Sequence, residues 1–192
     1  MKQVKSIAVF CGSSDGKREE YAQYARSLGI EMARKGIALV YGGGNRGLMG
    51  VIARAVRENG GRVIGVLPKA MDIPSVRNNS VENEIIIVSD MHERKKTMYE
   101  KADAFIAMPG GIGTIEEISE IYTWRQLQYH DKNIGLLNIA GYWNKFLSML
   151  DTGASEGFIS EKVRNLLIVE PEPVKLIERL ESENYTVPSK LG

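Results

Sequence analysis

Short apolar runs alternate with amphipathic stretches along most of the chain. Several of these runs are apolar on both faces, a pattern that is typical of strands buried within a parallel sheet. Strands are predicted over 6–10, 37–41, 62–67, 85–88, 104–108, 133–139 and 166–169. Helices are predicted over 17–35, from the glycine turn at 42–50 to 58, and over 89–101, 114–129, 142–150, 161–165 and 173–181. This alternation favours an α/β fold, a doubly wound parallel sheet flanked by helices.

A single domain is expected, because 192 residues are enough for one well-buried core and few for two. The domain is assigned to 1–192, and its tail, 184–192, is predicted to fray. Residues 68–83 carry prolines and asparagines without a clear period, so they are predicted to form a long loop of the kind that often covers a site. A second loop is predicted over 151–157.

Composition excludes several classes of function and partner. The formal net charge is +1, from 25 basic and 24 acidic residues, and no basic block stands out, so nucleic acid and membrane surfaces are not expected partners. No apolar segment approaches the ~20 residues that span a bilayer, which makes the cytoplasm the simplest location. The single cysteine, Cys11, excludes a disulfide within the chain and a cysteine-based zinc cluster, and two histidines leave little for a metal site. No metal centre is expected.

The stretch 109–117, Pro-Gly-Gly-Ile-Gly-Thr-Ile-Glu-Glu, joins a predicted strand to a predicted helix. Gly110, Gly111 and Gly113 remove side chains where a ligand must approach the backbone, and they permit positive φ values. The first N–H groups of a helix lack partners within it, and the helix dipole adds about half a positive charge there. The turn therefore suits an anion, and phosphate is the natural candidate.

Glu117 lies on the first turn of this helix. An acidic side chain there lies close to a bound phosphorylated ligand without helping to hold its phosphate, which suggests chemistry on the ligand's sugar. The spacing Thr114-x-x-Glu117 also fits a capping box, in which the glutamate bonds back to the backbone N–H of the cap. Both interpretations stay open on spacing alone.

A second glycine-rich turn follows the predicted strand 37–41. Gly42, Gly44 and Gly47 satisfy the G-x-G-x-x-G pattern of dinucleotide sites in the required strand-to-helix context. Such a site also needs an acidic residue ~20 positions later for the ribose hydroxyl, whereas here the next strand ends in Pro68-Lys69. A mononucleotide or sugar-phosphate site is therefore favoured over NAD.

A third predicted strand end carries a glycine at Gly12. In a doubly wound sheet, ligands bind beyond the carboxyl ends of the strands, so the three glycine-bearing ends are predicted to form the walls of one pocket. Ser13 is typical of a simple turn or cap residue, but its position beside this pocket makes it a candidate substrate contact. Gly43 and Gly44 are candidate substrate contacts for the same reason.

Arg94, Lys95 and Lys96 are three consecutive cations near the predicted start of a helix, where the helix dipole disfavours positive charge. They form either a solvated face or a group of which one or two turn inward to bind an anion. Arg94 is the better candidate for binding, because its planar fork grips phosphate or ribose oxygens. His92 is interpreted as a structural group rather than a general base.

Three motifs together resemble the LOG (Lonely Guy) family of cytokinin riboside 5′-monophosphate phosphoribohydrolases. They are the two glycine turns described above and Met91-His92-Glu93-Arg94-Lys95, which occur in the family's order and extend to about Trp124. The resemblance implies a Rossmann-like fold, a homodimer and hydrolysis of the N-glycosidic bond of a nucleoside 5′-monophosphate, a cytokinin riboside 5′-monophosphate or AMP. Such proteins often carry the label lysine decarboxylase, but nothing in this sequence marks a pyridoxal lysine, and no cofactor is expected.

Carried over residue by residue, the resemblance implies that Arg94 and Glu117 are the catalytic pair. It also implies that the substrate is bound by Lys95, beside that arginine, by Gly110 to Thr114 as the phosphate-binding turn, and by Thr123 on the helix. The chain departs from the family in the loop before the fourth strand. Where many relatives place a glutamate on the base side, this loop has Ser-Val-Arg, which bears on recognition of the base and leaves the catalytic pair intact.

Cleavage of an N-glycosidic bond passes through an oxocarbenium-like sugar, which a nearby carboxylate stabilises while it orients or deprotonates the attacking water. Glu117 is assigned this role, and Arg94 is assigned to anchor phosphate or ribose and to stabilise negative charge on the departing base. A second carboxylate is not evident, since Glu116 lies ~100° round the helix. Two rivals stay open: a sensor or carrier that binds a nucleotide without cleaving it, and a nicotinamide enzyme, which the missing ribose acid disfavours.

Overall fold

The computed structural model describes residues 3–77 and 81–185. The strands in this part of the chain are β1 (Ser6–Phe10), β2 (Ala38–Tyr41), β3 (Val63–Pro68), β4 (Glu84–Val88), β5 (Ala104–Ala107), β6 (Ile134–Leu137) and β7 (Leu167–Glu170). The helices are α1 (Glu19–Arg34), α2 (Gly47–Glu58), α3 (Met91–Lys101), α4 (Ile112–Gln126), α5 (Asn144–Ser155), α6 (Glu161–Arg164) and α7 (Pro173–Ser182), with 3₁₀ turns at Lys69–Met71 and Ile139–Gly141. Every strand and helix predicted from the sequence is present, most of them within a few residues of the predicted bounds.

The strands form one parallel sheet in the order β4-β3-β2-β1-β5-β6-β7. The chain builds the sheet outward from β1 to β4 on one side and then returns to the other side of β1 with β5. This arrangement confirms the predicted doubly wound, Rossmann-like α/β fold. It also creates a switch point between β1 and β5, beyond whose carboxyl ends a ligand crevice forms.

Helices cover both faces of the sheet, and each face has its own apolar core. Along β1, Ile7 and Val9 belong to the core under α1, α2 and α7, whereas Ala8 and Phe10 belong to the core under α3, α4 and α5. Both sets are almost completely buried, because side chains alternate between the two faces of a strand and both faces are covered. The continuous apolar runs in the sequence have this cause.

Helix α5 is longer than predicted. The loop predicted over 151–157 is wrong for residues 151–155, which belong to this helix. The hydroxyl of Thr152 donates to the carbonyl oxygen of Ser148 within the helix, which accommodates a residue that also favours turns. Gly153 leaves room for Ile159, whose Cδ1 would lie 2.8 Å from a Cβ at position 153. The contact with Ile159 therefore accompanies a helix that continues past the point where the sequence predicts its end.

The chain is held to α4 as far as the last residue that the structure describes. Arg125 Nη2 donates to the carbonyl oxygen of Tyr185 at 2.6 Å, and Tyr185 packs against both cores. Residues 186–192, most of the tail predicted to fray, lie outside the described residues. Within the described ranges, no helix combines the length and apolar character needed to cross a membrane.

Candidate active site

A cavity of about 300 Å³ opens at the carboxyl ends of β1 and β5, at the switch point of the sheet. The Gly12 N–H donates to the carbonyl oxygen of Pro109 at 3.0 Å, which joins the loops that follow these two strands. The cavity is lined by Cys11, Gly12, Ser13, Met49, Met71, Met91, Arg94, Gly111, Ile112, Gly113, Thr114, Glu116 and Glu117. Residues from two of the three predicted glycine-bearing strand ends thus meet here with the starts of α3 and α4.

The first turn of α4 is open to the cavity. Gly111 is the N-cap residue of this helix, no side chain caps it, and the first turn holds no acidic residue. A Cβ at Gly111 or at Gly113 would meet no other atom within 4 Å, so the space beside this backbone is free for a ligand. Uncapped N–H groups beside open space at a helix start are the features of an anion site.

Arg94 reaches the cavity from α3 and is buried, with 9% of its surface exposed. Asp90 caps this helix, and its carboxylate accepts the backbone N–H groups of His92 and Glu93. Arg94 then lies on the inward face, one turn before buried Met98. Its Nε donates to the carbonyl oxygen of Val66 at 3.2 Å. A hydrogen bond from the sheet therefore fixes the direction of the guanidinium.

Glu117 faces Arg94 across the cavity, with Oε1 at 3.5 Å from the arginine Nη1. The glutamate is buried to the same degree as the arginine. Burial raises the pKa of Glu117 to about 7, and the positive charge of Arg94 opposes the rise without cancelling it. Near neutral pH this carboxyl therefore exists in both protonation states, which suits a group that exchanges a proton with a ligand or with water.

The capping box considered for Thr114 and Glu117 is wrong. Because α4 begins at Ile112, Thr114 lies inside the first turn rather than at the cap, and Glu117 lies in the cavity. The sequence pattern for the box places the helix start at the threonine, whereas the helix begins directly after Gly111.

The three consecutive cations separate into different environments. Arg94 turns into the cavity, while Lys95 turns to α4 and contacts the carboxylates of Glu116 and Glu120, the latter at 3.0 Å. Lys96 points outward, 3.9 Å from an exposed glutamate. Burial alone lowers the pKa of Lys95, but its hydrogen bonds to the two carboxylates outweigh this and raise it above the usual value, so the ammonium stays charged.

Glu116 lines the same cavity as Glu117, although the sequence places it on another side of the helix. Its carboxylate is half-exposed and is engaged by Lys95. A second carboxylate is thus present at the cavity wall, in a salt bridge rather than free.

A second cavity of about 340 Å³ adjoins the first and shares Ser13, Met49, Met71 and Arg94 with it. Its remaining wall comes from the other glycine turn and from the loop after β3: Gly42, Gly44, Asn45, Arg46, Ser75 and Val76. The Asn45 backbone N–H donates to the carbonyl oxygen of Val76 at 2.9 Å, which fastens that loop to the glycine turn. The third glycine-bearing strand end thus enters the site through this second cavity.

Besides Lys95, three predicted substrate contacts have other surroundings in the single chain. Gly43 lines neither cavity; it has a φ of 72° and packs against Leu67. Gly110 lies behind the turn, where a Cβ would come within 2.2 Å of Thr114 Oγ1. Thr123 is exposed, and its hydroxyl donates to the carbonyl oxygen of Ser119 within α4. The remaining candidates, Ser13, Gly44, Gly111, Gly113 and Thr114, line the two cavities.

Sequence reasoning missed several residues of the site. The hydroxyl of Tyr142 donates to the carbonyl oxygen of Gly110 and holds the glycine turn from the side of β6. Met49, Met71 and Met91 contribute apolar surface to the first cavity. Tyr142 is separated from the turn by more than a helix in sequence. Met49 and Met91 lie within recognised motifs, but a methionine at such a position carries no signal for its role.

Comparison with known proteins adds independent evidence. A profile of the protein family described as possible lysine decarboxylase matches residues 49–180. A probable cytokinin riboside 5′-monophosphate phosphoribohydrolase of Oryza sativa subsp. japonica is 48% identical over 177 residues, 92% of this chain and 72% of that protein. A cytokinin riboside 5′-monophosphate phosphoribohydrolase of Arabidopsis thaliana is also 48% identical over 177 residues, 92% of this chain and 83% of that protein.

Solved structures extend the comparison to the fold. The molybdenum cofactor binding protein of the phototrophic bacterium Rippkaea orientalis has a TM-score of 0.71 and 21% identity, over 95% of this chain and 98% of that one. The molybdenum cofactor carrier protein of Chlamydomonas reinhardtii has the same TM-score and identity, over 94% and 100%. At this level of identity the likeness supports the fold alone.

Proposed function

The chain belongs to the family of the cytokinin riboside 5′-monophosphate phosphoribohydrolases, and we propose that it cleaves nucleoside 5′-monophosphates with Arg94 and Glu117 as its catalytic residues. The reaction is hydrolysis of the N-glycosidic bond, which releases the free base and ribose 5-phosphate. The observation that carries the assignment of residues is the buried pair of Arg94 and Glu117, 3.5 Å apart, beside an uncapped helix start. The substrate is a cytokinin riboside 5′-monophosphate, AMP or both.

The 5′-phosphate binds at the start of α4. The uncapped N–H groups beside Gly111 and Gly113, together with the helix dipole, supply positive potential without a bulky side chain. Thr114 adds a hydroxyl at the same cavity wall. Glu117 follows one turn later on the same helix, so a phosphate held at the helix start directs the attached ribose toward its carboxylate.

The two catalytic residues divide the charge that develops during cleavage. The Glu117 carboxylate stabilises the oxocarbenium-like ribose and accepts a proton from the attacking water, for which a pKa of about 7 is well matched to neutral pH. The Arg94 guanidinium stabilises the negative charge that develops on the departing base, and the base then takes its proton from water. Both side chains are largely buried, so water screens their charges less than it does at the surface.

The description possible lysine decarboxylase does not fit these residues. A pyridoxal enzyme needs a neutral lysine amine facing its cofactor. No lysine is among the described residues that line the two cavities, and the ammonium of Lys95 is engaged by two carboxylates. The pattern of charges suits a phosphorylated sugar instead.

The functional unit is a homodimer. Its support is a group of exposed apolar side chains that line the first cavity, Ile112, Met71 and Met91, of which Ile112 is 82% exposed. Light scattering should give twice the mass of one chain, and Ile112→Lys should shift the protein to monomer; a monomeric wild type at high concentration would contradict the dimer.

The cytoplasmic location and the absence of nucleic-acid and membrane partners stay predictions from the sequence.

The function is tested by incubating the protein with a panel of nucleoside 5′-monophosphates and separating the products by chromatography. Wild type should release free base and ribose 5-phosphate, whereas Glu117→Gln and Arg94→Ala should lose nearly all turnover and keep their folded circular dichroism. The matching ribosides, which lack the phosphate, should stay intact. Ligand bound but recovered uncleaved would support the nucleotide carrier, and near-normal turnover in both variants would remove the assigned catalytic pair.

A further inference from the structure

Helices α3 and α4 are joined near both of their ends. Toward their C-terminal ends, the ring of Tyr99 packs edge-on against Trp124, with centroids 5.3 Å apart. At the ends beside the cavity, the ammonium of Lys95 contacts the carboxylates of Glu116 and Glu120. Lys95 and Tyr99 are four residues apart, so both lie on the face of α3 that is turned to α4. Near the cavity, the two helices are therefore held together by the salt bridges of Lys95.

The catalytic pair lies immediately beside the Lys95 salt bridges. Arg94 precedes Lys95 on α3, and Glu117 follows Glu116 on α4, so two ion pairs connect the same helix turns side by side. The inner pair is the looser one, with 3.5 Å between Arg94 Nη1 and Glu117 Oε1. No hydrogen bond of normal length joins this pair. Its separation is therefore set by the bond that holds Arg94 to Val66 and by where α3 lies relative to α4.

Lys95 is committed to the contact between the helices rather than to the ligand. Its side chain is only 11% exposed and lines neither of the two cavities. A side chain with so little exposure leaves its ammonium few contacts with water, so the two carboxylates stabilise the charge. Lys96 is the opposite case, since its side chain is 70% exposed and lies 3.9 Å from Glu100.

We propose that Lys95 is a positioning residue: its salt bridges to Glu116 and Glu120 hold α3 against α4 and so set the separation of Arg94 and Glu117 during catalysis. This replaces the expectation that Lys95 binds the substrate. The inference rests on the proposed function, because it concerns the turnover of the same catalytic pair.

A purely electrostatic role has a different signature. The charged and titratable groups around Glu117 are Arg94 and Lys95 from α3, Cys11 after β1, and Glu116 and Glu120 on its own helix. The charge of Lys95 lowers the pKa of Glu117, and that of Glu120 raises it. Removal of the Lys95 charge should therefore move the pH profile to higher pH, and removal of the Glu120 charge should move it to lower pH. If the salt bridges position the helices, removal of either Lys95 or Glu120 instead lowers the kcat at the pH maximum.

The experiment measures kcat and KM of base release from AMP across pH for Lys95→Met, Lys95→Arg and Glu120→Gln, with Lys96→Met as the matched control. In Lys95→Met, kcat at its pH maximum should fall about tenfold or more, because small misplacement of reacting groups costs up to about 100-fold. Glu120→Gln should also lower the maximal kcat, Lys95→Arg should restore most of it, and Lys96→Met should match wild type. KM should change little, and the contact of Tyr99 with Trp124 should keep the variants folded.

The alternatives give distinct results. A raised KM with kcat intact in Lys95→Met would assign the lysine to substrate binding and overturn the proposal. A maximal kcat equal to wild type, with only shifted pH profiles, would overturn it in favour of electrostatics alone. If wild type is active and the variants are unaffected, only the proposed role of Lys95 is wrong. If wild type cleaves no member of the nucleotide panel, the proposed function and this inference are both wrong.

Discussion

The backbone of Gly42 lies directly against the guanidinium of Arg94, so that a Cβ at position 42 would come within 1.7 Å of Nη2. Gly42 follows β2, whereas Arg94 comes from α3, so a glycine of one turn makes room for a cation from a distant helix. The φ of Gly42 is not positive, and its own conformation therefore permits a side chain. The arginine is what requires glycine at this position.

Gly42→Ala should displace the Arg94 guanidinium and leave the fold intact. Because the new methyl group occupies the place of Nη2, we expect kcat/KM to fall about 100-fold, as misplacement of a catalytic group by about 1 Å does. The melting temperature should change little, since the displaced atoms are the far end of a flexible side chain. Steady-state kinetics and thermal unfolding measure the two quantities.

Gly60→Ala is the matched control for this substitution. Gly60 has a φ of 77° and no neighbouring atom within 4 Å of a Cβ, so alanine there strains the backbone without touching the site. It should lower stability and keep full activity, the reverse of Gly42→Ala. Normal activity in Gly42→Ala would mean that Arg94 can act from another position.

The pH profile should report the ionisation of Glu117. Because its pKa is raised to about 7 and the carboxylate is the active form, kcat/KM should decrease about tenfold for each pH unit below that value. Glu116→Gln removes a charge that raises this pKa, so the acid limb should move to lower pH. The phosphate of the substrate, whose second pKa is about 6, gives a limb that does not move in this variant.

Tyr142→Phe should weaken binding of the phosphate. Its hydroxyl donates to the carbonyl oxygen of Gly110 and fixes the turn whose N–H groups face the proposed phosphate site. One hydrogen bond contributes about 1 kcal/mol, so KM for 5′-monophosphates should rise about fivefold with kcat little changed. Tyr129→Phe, on an exposed ring, is the control and should match wild type. A fall in kcat with KM unchanged would place the effect on the chemical step instead.

The fold could be predicted from the sequence because its strongest signals are local. Buried parallel strands require continuous apolar runs, and 104–108 and 166–169 show them without ambiguity. The error at α5 arises because contacts as well as propensity set a helix end. At α4, the capping-box pattern placed the start at Thr114, two residues too late. Gly153 reads as a turn residue, yet in the structure it makes room for Ile159 and the helix continues.

Site residues that lie in a recognised motif could be predicted from the sequence. Contacts between residues far apart in the sequence could not. Arg94 and Glu117 follow from motifs, and the structure brings them together. Lys95 reads as a ligand contact because it stands beside Arg94. Its carboxylate partners come more than twenty residues later, and no spacing rule connects them. Pairings of this kind depend on how α3 and α4 meet, which only the packed structure defines.

Glu117→Gln should stabilise the protein at high pH while it abolishes activity. The pKa of Glu117 is about 7 in the folded chain against an ordinary value of 4.5, so the folded state favours the protonated form. Wild type therefore loses stability as pH rises from about 4.5 to about 7, and the loss is complete above that range. Glutamine does not ionise, so the variant escapes this loss. Its free energy of unfolding, relative to wild type, should be up to about 3 kcal/mol higher at pH 8 than at pH 4.

Denaturant unfolding of both proteins at pH 4 and pH 8 measures this difference, with Gly60→Ala as a control whose stability change should be the same at both pH values. A glutamate kept in a buried cavity at a cost in stability is expected where its ionised form is needed for chemistry, because a neutral side chain of the same shape packs better. If Glu117→Gln gains nothing at pH 8, the carboxylate is well compensated by Arg94 in the folded chain. Its pKa then lies near the ordinary value, and the acid limb of the pH profile must have another source.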